Sequence, residues 1–401
     1  MSTQPLRFGV NYVPSQNWWY SWVDWDRAAI ATDLQAIAAL GFDHLRIHCL
    51  WPVFQPNANY VSATALDHLE ELLDLADASG LDIQVAVLDG WLSGFCFIPA
   101  WQLDRNIFTD PVSIAAEELL YTALAARIGK HRRFLGFDLG NELGVLMGKG
   151  HPVTPALADL WQTRMLQHCA KVAPGRFHVN GVDHIHWFRN LGFTRPTLAT
   201  TGAATSLHAW TEFTGFRAAF GAEGLGSVHL TEYSMELARA YHQDPNRLIW
   251  LQEFGSSRAW MPEEHIPDFA EKTIRCAASC GNLWGFTWWC SHELKRAFTG
   301  FDVCEYDVGL LDVNNRPKPV AQTIAGLIRE FRRTPPQVAL RRRAVVLRDD
   351  AFTADSTAAA LKFARIWVSQ IADGIGPAIV LASRSQDRAY LAARGIDELL
   401  D

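Results

Sequence analysis

Two apolar segments that each carry a glutamate near their carboxyl end decide the fold of this chain: FLGFDLGNE at residues 134–142 and LIWLQEF at residues 248–254. Short apolar runs of this kind are typical of β-strands buried on both faces, as in a parallel sheet. Longer amphipathic segments separate such runs along the chain, and this alternation is typical of βα units. The pattern predicts an α/β fold in which Glu142 and Glu253 lie at the ends of two parallel strands.

The same alternation continues on both sides of these segments. Strands are predicted at residues 8–12, 44–50, 82–88, 134–139, 177–182, 206–210, 248–252 and 283–289. Helices are predicted at residues 26–40, 64–79, 113–128, 155–172, 231–242, 264–279 and 319–332, with only a weak helix after the fifth strand. Eight units in roughly 330 residues fit a (β/α)8 TIM barrel, which takes about 250 residues and up to about 400 with insertions. We therefore expect one catalytic barrel over residues 1–334.

The composition changes after Thr334-Pro335-Pro336. Strands are predicted at residues 344–347 and 378–381, and helices at residues 356–371 and 386–394. These elements predict a small α/β appendage over residues 335–401. It carries no glycine-rich phosphate loop, and its sequence does not indicate a role.

The charge balance argues against two classes of partner. The chain has 36 Lys and Arg against 43 Asp and Glu, a formal net charge of −7, which gives no general attraction for nucleic acid or an anionic membrane.

Residues 1–7 are polar and lack the apolar region of a signal peptide, and no apolar run is long enough to span a membrane. Several of the seven cysteines fall in predicted core elements. We expect a cytoplasmic protein with reduced thiols.

Active sites of TIM barrels lie at the carboxyl ends of the strands, where the βα loops converge. The polar and aromatic residues at the predicted strand ends are Arg46, Asp89, Asn141, Glu142, His208, Trp210, Glu253, Trp288 and Trp289. The carboxylates on strands four and seven face each other across such a barrel. Hydrolysis of a glycoside with retention needs a pair of this kind, about 5–5.5 Å apart, in which one protonates the leaving oxygen and the other attacks the anomeric carbon. Arg46 suits the role of counter-charge for Glu253.

The segments DLGNE at residues 138–142 and WLQEFG at residues 250–255 resemble the catalytic strand ends of clan A glycoside hydrolases, particularly family 5. The resemblance covers about residues 7–333. It implies that Glu142 is the acid/base, that Glu253 is the nucleophile and that Asn141 binds the sugar 2-hydroxyl. It also matches the family's strand-two arginine, strand-six histidine and strand-eight tryptophan to Arg46, His208, and Trp288 or Trp289.

Within the family, three further stretches resemble bacterial β-mannosidases of subfamily 18: FGVNY at residues 8–12, LWPVFQP at residues 50–56 and WGFTWWCSH at residues 284–292. The resemblance implies a retaining exo-β-mannosidase acting on short oligosaccharides. A β-glucosidase, an endo-acting mannanase or glucanase, and a transglycosylase stay open as alternatives on the same scaffold. A non-catalytic carbohydrate-binding protein is disfavoured because it would not need both glutamates.

The chain departs from the family pattern at two places. Trp210 stands where the family often has a tyrosine that hydrogen-bonds the nucleophile. Asp89 and Trp91 occupy the region in which the family often has a histidine. Both departures affect the expected geometry of the subsite that holds the terminal sugar.

The loop after strand five and the loop after strand one hold further candidates. Asp183 and His184 are predicted to hydrogen-bond substrate hydroxyls; together with His186 they are also metal-ligand types, but hydrolysis of the clan A kind needs no metal, and no cofactor is expected. The tryptophans after strand one either wall the sugar pocket or cap the barrel mouth, and these are Trp18, Trp19, Trp22 and Trp25. The expected partner is a small oligosaccharide, and homo-oligomerisation stays open.

Overall fold

The structure is a computed structural model that describes residues 5–353, 356–372 and 374–400 of the 401-residue chain. The polar N-terminus predicted over residues 1–7 therefore lies partly outside the described residues.

Eight parallel strands form a nearly closed barrel. In chain order they are β1 Arg7–Asn11, β2 His44–Leu50, β3 Asp82–Asp89, β4 Phe134–Asn141, β5 Val179–Gly181, β6 Thr205–His208, β7 Ile249–Phe254 and β8 Leu283–Trp288. Hydrogen bonding connects them in the order β5-β4-β3-β2-β1-β8-β7-β6. The two end strands, β5 and β6, lie side by side, and next to them the N–H of Ala203 donates to the carbonyl of His178 at 2.8 Å. The predicted (β/α)8 TIM barrel is confirmed.

Strand β2 shows how the sequence directs side chains into the barrel. Its sequence, HLRIHCL, is buried at every position. Apolar residues at positions 45, 47 and 49 alternate with polar residues at positions 44, 46 and 48, and successive side chains of a strand point to opposite faces. Since Arg46 reaches Glu253 inside the barrel at 2.6 Å, the polar set is the interior one. Two charged groups can lie there because they pair with each other.

Seven long helices surround the barrel: Arg27–Ala39, Ala63–Ser79, Pro111–Ile128, Pro155–Val172, Leu230–Tyr241, Ile266–Ala278 and Pro319–Arg333. Local capping sets their ends. The side chain of Asp110 accepts hydrogen bonds from the first N–H groups of Pro111–Ile128, and Pro111 starts this helix two residues before the predicted start because proline suits the first helical turn. Gly80 ends Ala63–Ser79 in the left-handed conformation, with a φ of 75°.

The segment between β5 and β6 holds two short helices, Ile185–Phe188 and Arg195–Leu198, in place of one long helix. Further short helices lie in the connections at Trp51–Phe54, Leu143–Met147, Phe216–Phe220 and Leu225–Val228. The 3-10 turns are Trp18–Trp22, Ala100–Gln102, Glu263–His265, Val303–Tyr306 and Ala382–Arg384, and a small hairpin pairs Trp91–Leu92 with Phe95–Cys96. Several of these loop elements supply the walls of the pocket described below.

The C-terminal part forms a small sheet of three parallel strands, β9 Arg343–Leu347, β10 Ala378–Leu381 and β11 Glu398–Leu400, in the order β10-β9-β11. Its helices are Ala358–Ser369 and Arg388–Ala393. The short strand β11 was not predicted, because three residues in an acidic C-terminal stretch give no clear period-two pattern.

The C-terminal sheet is tied to the barrel by a buried ion cluster. The carboxylate of Glu236, on the barrel helix Leu230–Tyr241, forms ion pairs with Nη2 of Arg394 and Nη1 of Arg239, each at 2.6 Å. Arg341 pairs with Glu232 on the same helix. Since all these groups are largely buried, the two parts of the chain share one electrostatic network.

None of the described helices has both the length and the apolar character that a membrane span requires.

Candidate active site

A pocket of about 290 Å³ opens at the carboxyl ends of the barrel strands, at the low end of the size range of small-molecule sites. Its walls come from strand ends and from the loops that follow them. The lining residues are Trp91, Ser93, Gly94, Asn141, Glu142, Val145, Asp183, His184, Ile185, Trp210, Phe213, Glu253, Trp260, Trp289, Asp302, Cys304, Glu305 and Val308. This is the end of the barrel at which such folds carry active sites.

Glu142 and Glu253 both approach the same ring nitrogen of His208. The Nδ1 atom of His208 lies 2.7 Å from Oε1 of Glu142 and 3.4 Å from Oε2 of Glu253. One ligand atom from each of the three side chains lies within 4.8 Å of the others. Glu142 adopts the left-handed conformation with a φ of 47°, a strained backbone state that recurs at functional sites. The structure therefore brings the two predicted carboxylates together.

Arg46 is fully buried beneath the pocket, where it hydrogen-bonds three side chains of the site. Its Nη1 donates to Oε1 of Glu253 at 2.6 Å, its Nε donates to Oδ2 of Asp138 at 2.8 Å, and its Nη2 donates to Oδ1 of Asn141 at 2.9 Å. The guanidinium thus neutralises two carboxylates and orients an amide. It lies beneath the pocket and does not line it.

Asn141 lines the pocket, whereas Asp89 lies behind it. Besides accepting from Arg46, the Asn141 amide donates from Nδ2 to the carbonyl of Trp91 at 2.9 Å. Asp89 is completely buried; its Oδ1 accepts from the Asn141 N–H at 3.0 Å and its Oδ2 contacts Nδ1 of His48 at 3.1 Å. Asp89 therefore contacts Asn141 and does not line the pocket, contrary to the expectation that it binds substrate.

Of the two strand-eight tryptophans, only Trp289 lines the pocket. Trp288 is buried against Phe254, and its indole N–H donates to the carbonyl of Val308 at 3.2 Å. Trp210, at the end of strand six, also lines the pocket and donates from its indole N–H to Oε2 of Glu253 at 3.3 Å. An indole thus makes the contact that the family pattern assigns to a tyrosine.

The tryptophans after β1 form a layer behind the pocket. Trp18 packs edge-on against Trp289 with ring centroids 6.1 Å apart, and Trp19 stacks on Phe301 at 4.7 Å. Trp22 donates its indole N–H to the carbonyl of His48 at 2.8 Å. Trp18 thus packs against the pocket residue Trp289, and none of the four tryptophans at positions 18, 19, 22 and 25 lines the 290 Å³ pocket itself.

The surroundings separate the two glutamates electrostatically. Burial raises the pKa of Glu142 to about 7, against the opposing effect of Arg46. Burial and the neighbouring carboxyl group of Glu142 raise the pKa of Glu253, while Arg46 and the indole N–H of Trp210 act to lower it. Two donors, Arg46 and Trp210, thus favour the charged form of Glu253.

Gln252 links His208 to Asp138. The Nε2 group of Gln252 donates to Oδ2 of Asp138 at 3.0 Å, and its Oε1 lies 3.1 Å from Nε2 of His208. Asp138 also accepts from Arg46 and from the N–H of Gly181, so it acts as an acceptor. The amide oxygen must then face His208, and Nε2 of His208 must carry a hydrogen.

This tautomer places the proton between His208 and Glu142. Burial lowers the pKa of His208, so the ring is neutral at pH 7 and its Nδ1 can only accept. The hydrogen in the 2.7 Å contact therefore belongs to the carboxyl group of Glu142.

A β-bulge explains why Gln252 was missed among the candidates. Strand alternation would turn Gln252 away from a site that contains Glu253. In the structure Leu207 pairs with Leu251 and His208 pairs with Glu253, so Gln252 is an additional residue on β7 and both polar side chains face inward. Asp138 was also missed, although it lies within the DLGNE segment.

Asp183 and His184 line the pocket, and His186 lies deeper. Oδ1 of Asp183 accepts from the N–H of Ile185 at 2.8 Å, while its Oδ2 is buried without a hydrogen-bond partner in the described structure. Burial lowers the pKa of His184 to about 3. The Nδ1 atom of His186 contacts the carbonyl of Leu191 at 2.7 Å. Within the described residues these three side chains do not converge as a metal-ligand set.

In the described parts of the chain, two other clusters of histidine, cysteine or glutamate side chains are close enough together to share a metal ion. One is the trio of Glu142, His208 and Glu253 itself, and the other is His229, Glu232 and Cys276. In each cluster a carboxylate already pairs with an arginine, Glu253 with Arg46 and Glu232 with Arg341. The observed contacts thus account for both clusters without an ion.

Several pocket residues come from loops and were not among the candidates: Ser93, Phe213, Trp260, Asp302 and Glu305. Phe213 and Trp260 meet edge to face with ring centroids 5.9 Å apart. Loop residues far from a strand end carry no periodic signal, so only the tertiary structure shows that they face the site.

Several solved structures resemble this chain over nearly its full length. No protein-family model matches the chain, and no curated protein matches it. Among solved structures, GH5_18 from Streptomyces cattleya in complex with GlcNAc is 37% identical, with a TM-score of 0.94 over 100% of this chain and 99% of that one. A point variant of the same bacterial protein, in complex with Manβ1-4GlcNAc, has a TM-score of 0.93 over 98% of both chains. GH5_18 from Bifidobacterium longum subsp. longum is 32% identical, with a TM-score of 0.92 over 99% and 97% of the two chains.

These identities extend over nearly the full length of both chains, and they support the resemblance seen in the sequence. The chain belongs to glycoside hydrolase family 5, subfamily 18.

Proposed function

We propose that this glycoside hydrolase is a retaining exo-β-mannosidase that releases terminal β-mannose from short oligosaccharides. The observation that carries the proposal is the pair of carboxyl groups, Glu142 and Glu253, that approach one nitrogen of His208 from two strands.

The separation of the pair supports retention. Oxygens of the two groups come within 4.8 Å of each other. Retaining glycosidases hold their carboxyl groups about 5–5.5 Å apart, whereas inverting enzymes leave about 6.5–9.5 Å for a water molecule. The short separation favours direct attack on the sugar by one carboxylate.

The surroundings of the two glutamates support one role for each. Glu253, held ionised by Arg46 and Trp210, attacks the anomeric carbon, while the protonated Glu142 gives its proton to the departing oxygen. The resulting glycosyl-enzyme ester is then hydrolysed by water that Glu142, now a carboxylate, deprotonates. The neutral His208 accepts from Glu142 before the first step and leaves that proton available for transfer.

The ligands of related structures support mannose as the sugar that is released. Variants of the Streptomyces cattleya and Bifidobacterium longum proteins are each bound to Manβ1-4GlcNAc, a disaccharide with mannose at its non-reducing end. A pocket of about 290 Å³ matches a ligand of this size better than a polymer. We infer that this enzyme accepts β-mannosyl disaccharides of the same class.

The test is a comparison of initial rates on p-nitrophenyl β-mannoside, p-nitrophenyl β-glucoside and Manβ1-4GlcNAc. We expect turnover of both mannosides, loss of that turnover in Glu253→Gln, and a β-anomer as the first sugar product in an NMR time course. Preference for the glucoside would retain the mechanism and reject the mannose assignment. An α-anomer as first product would reject retention.

A further inference from the structure

Besides Glu142 and Glu253, three more carboxyl groups line the pocket, those of Asp183, Asp302 and Glu305, and Glu305 has no part in the proposed reaction. It lies on the 3-10 turn Val303–Tyr306, in the loop after β8. The turn is held firmly: the N–H of Cys304 donates to Asp302 at 3.1 Å, and the hydroxyl of Ser257 donates to the carbonyl of Cys304 at 3.0 Å. Its position is therefore determined by the fold.

The residue that follows the turn strengthens this anchoring. Asp307 pairs with Arg258 at 2.6 Å and with Arg296 at 2.7 Å. The nearby cations are thus engaged by Asp307, and none of the ion pairs in the described structure involves Glu305.

Two other acids of the pocket, Glu253 and Asp302, lie near Glu305. Burial and these neighbouring carboxylates raise the pKa of Glu305 to about 7. A carboxyl group has about four lone-pair positions, and no ion pair in the described structure occupies those of Glu305. A carboxylate in a pocket with many aromatic walls, without a cation, is suited to a ligand that supplies hydroxyl donors.

The two walls of the pocket indicate which part of a sugar Glu305 faces. Glu142 and Val145 follow β4, and His184 follows β5, so these residues form one wall. The leaving oxygen must lie beside the acid, and therefore the leaving group lies toward this wall. Glu305 and Trp289 follow β8, which lies across the barrel from β4 and β5. Glu305 is also close to the nucleophile Glu253, beside which the ring of the terminal sugar must lie.

We propose that Glu305 accepts hydrogen bonds from hydroxyls at the end of the terminal sugar that is remote from the anomeric carbon, and that it thereby requires this end to be unsubstituted. This inference rests on the proposed glycosidase function and explains why action would be restricted to a terminal residue. Trp289 provides the neighbouring aromatic surface for the same ring.

The test pairs variants with altered substrates. We would measure kcat/KM of wild type, Glu305→Gln and Glu305→Ala on p-nitrophenyl β-mannoside and on its 4-deoxy and 6-deoxy analogues. Loss of these hydrogen bonds, which leaves the sugar hydroxyls unpaired in the pocket, predicts a fall of about 100-fold for Glu305→Ala on the parent glycoside, and a similar fall for wild type on at least one analogue. Glu305→Ala should distinguish the parent from that analogue by less than about threefold, because the partner of the missing hydroxyl is gone.

Glu293→Gln is the matched control. Glu293 lies in the same loop but pairs with Lys318 at 2.7 Å, outside the pocket. Its replacement should leave kcat/KM and the discrimination between parent and analogue at wild-type values. Thermal melting of all variants would show that they are folded.

Two results would overturn the proposal: unchanged kcat/KM in Glu305→Ala, or a large loss that leaves the discrimination against both analogues as in wild type. If wild type prefers the β-glucoside, the mannose assignment fails separately, and the same deoxy series is run on glucosides because the two sugars differ only at C2. Cleavage of neither glycoside by wild type would reject both proposals together.

Discussion

At the scale of single residues, the site depends on side chains that hold other side chains in a particular state. Arg46 and Trp210 donate to Glu253, whereas Gln252 determines which nitrogen of His208 carries hydrogen. In the proposed mechanism, these contacts favour an ionised Glu253 and a protonated Glu142. Two variants test this division through the pH dependence of the rate.

Replacement of Gln252 by Met should change the protonation of Glu142. Without the Gln252 oxygen, His208 can carry its hydrogen on Nδ1 and donate to Glu142, which stabilises the carboxylate and lowers its pKa from about 7. Since the proposed mechanism requires a protonated Glu142, the decline of kcat/KM on the basic side should move to lower pH. The control is Gln162→Met, which removes a buried glutamine that contacts Asn180 and Thr201 outside the pocket. An unmoved basic limb in Gln252→Met would contradict the role of the tautomer.

Replacement of Trp210 by Phe should change the acidic limb of the pH profile of kcat/KM. The change removes the N–H that donates to Glu253 at 3.3 Å and so raises the pKa of that carboxyl group. The proposed mechanism requires an ionised Glu253, so the rise of kcat/KM on the acidic side should move to higher pH. Because the hydrogen bond is long, we expect a loss of about tenfold at neutral pH, equal to about 1.4 kcal/mol. A Trp210→Phe profile that shifts only on the basic side would show that this contact does not control Glu253.

At the scale of secondary-structure elements, ends and irregularities matter more than the regular spans. The extra residue on β7 turns both Gln252 and Glu253 inward, and the turn Val303–Tyr306 brings Glu305 to the pocket. The outer helices, in contrast, contribute stability through ordinary caps. A cap variant remote from the pocket therefore separates the two kinds of contribution.

Asp110→Ala removes the cap of helix Pro111–Ile128. The Asp110 side chain accepts from the N–H groups of Val112 and Ser113 at 2.9 and 3.0 Å. Loss of such a cap lowers the free energy of unfolding by about 1 kcal/mol, and we expect this from denaturant unfolding, with kcat/KM unchanged at 25 °C. Asp104→Ala, in the same connection, serves as a control. A large loss of activity in Asp110→Ala would show that this helix end is coupled to the site.

At the scale of the whole molecule, the C-terminal sheet and the barrel share buried charges. Glu236 contacts Arg239, Arg341 and Arg394, and these three cations lower its pKa to about 2 although burial acts in the opposite direction. Glu236→Gln would leave the arginines with one negative partner fewer. Because breaking a buried pair from one side costs about 3–5 kcal/mol, we expect a marked fall in melting temperature at pH 7.

The pH dependence gives the sign of the same interaction. A carboxylate whose folded-state pKa is depressed contributes stability above its unfolded pKa of about 4.3. That contribution is lost as pH falls from there through about 2. The difference in melting temperature between wild type and Glu236→Gln should therefore be full at pH 7 and shrink below pH 4. A constant difference down to pH 2.5 would mean that Glu236 contributes through packing alone.

The sequence by itself determined the barrel and the places of its strands, because buried parallel strands and amphipathic helices leave different periodicities in a chain. It also indicated Glu142 and Glu253, since a charged residue directly after an apolar strand has to lie at a strand end. The tertiary structure decided which of the other candidates reach the pocket. Asp89 and Trp288 turned away from it, and Gln252 and Glu305 turned toward it. A bulge on one strand and the fold of a long loop govern these orientations, and both depend on contacts between residues that lie far apart in the chain.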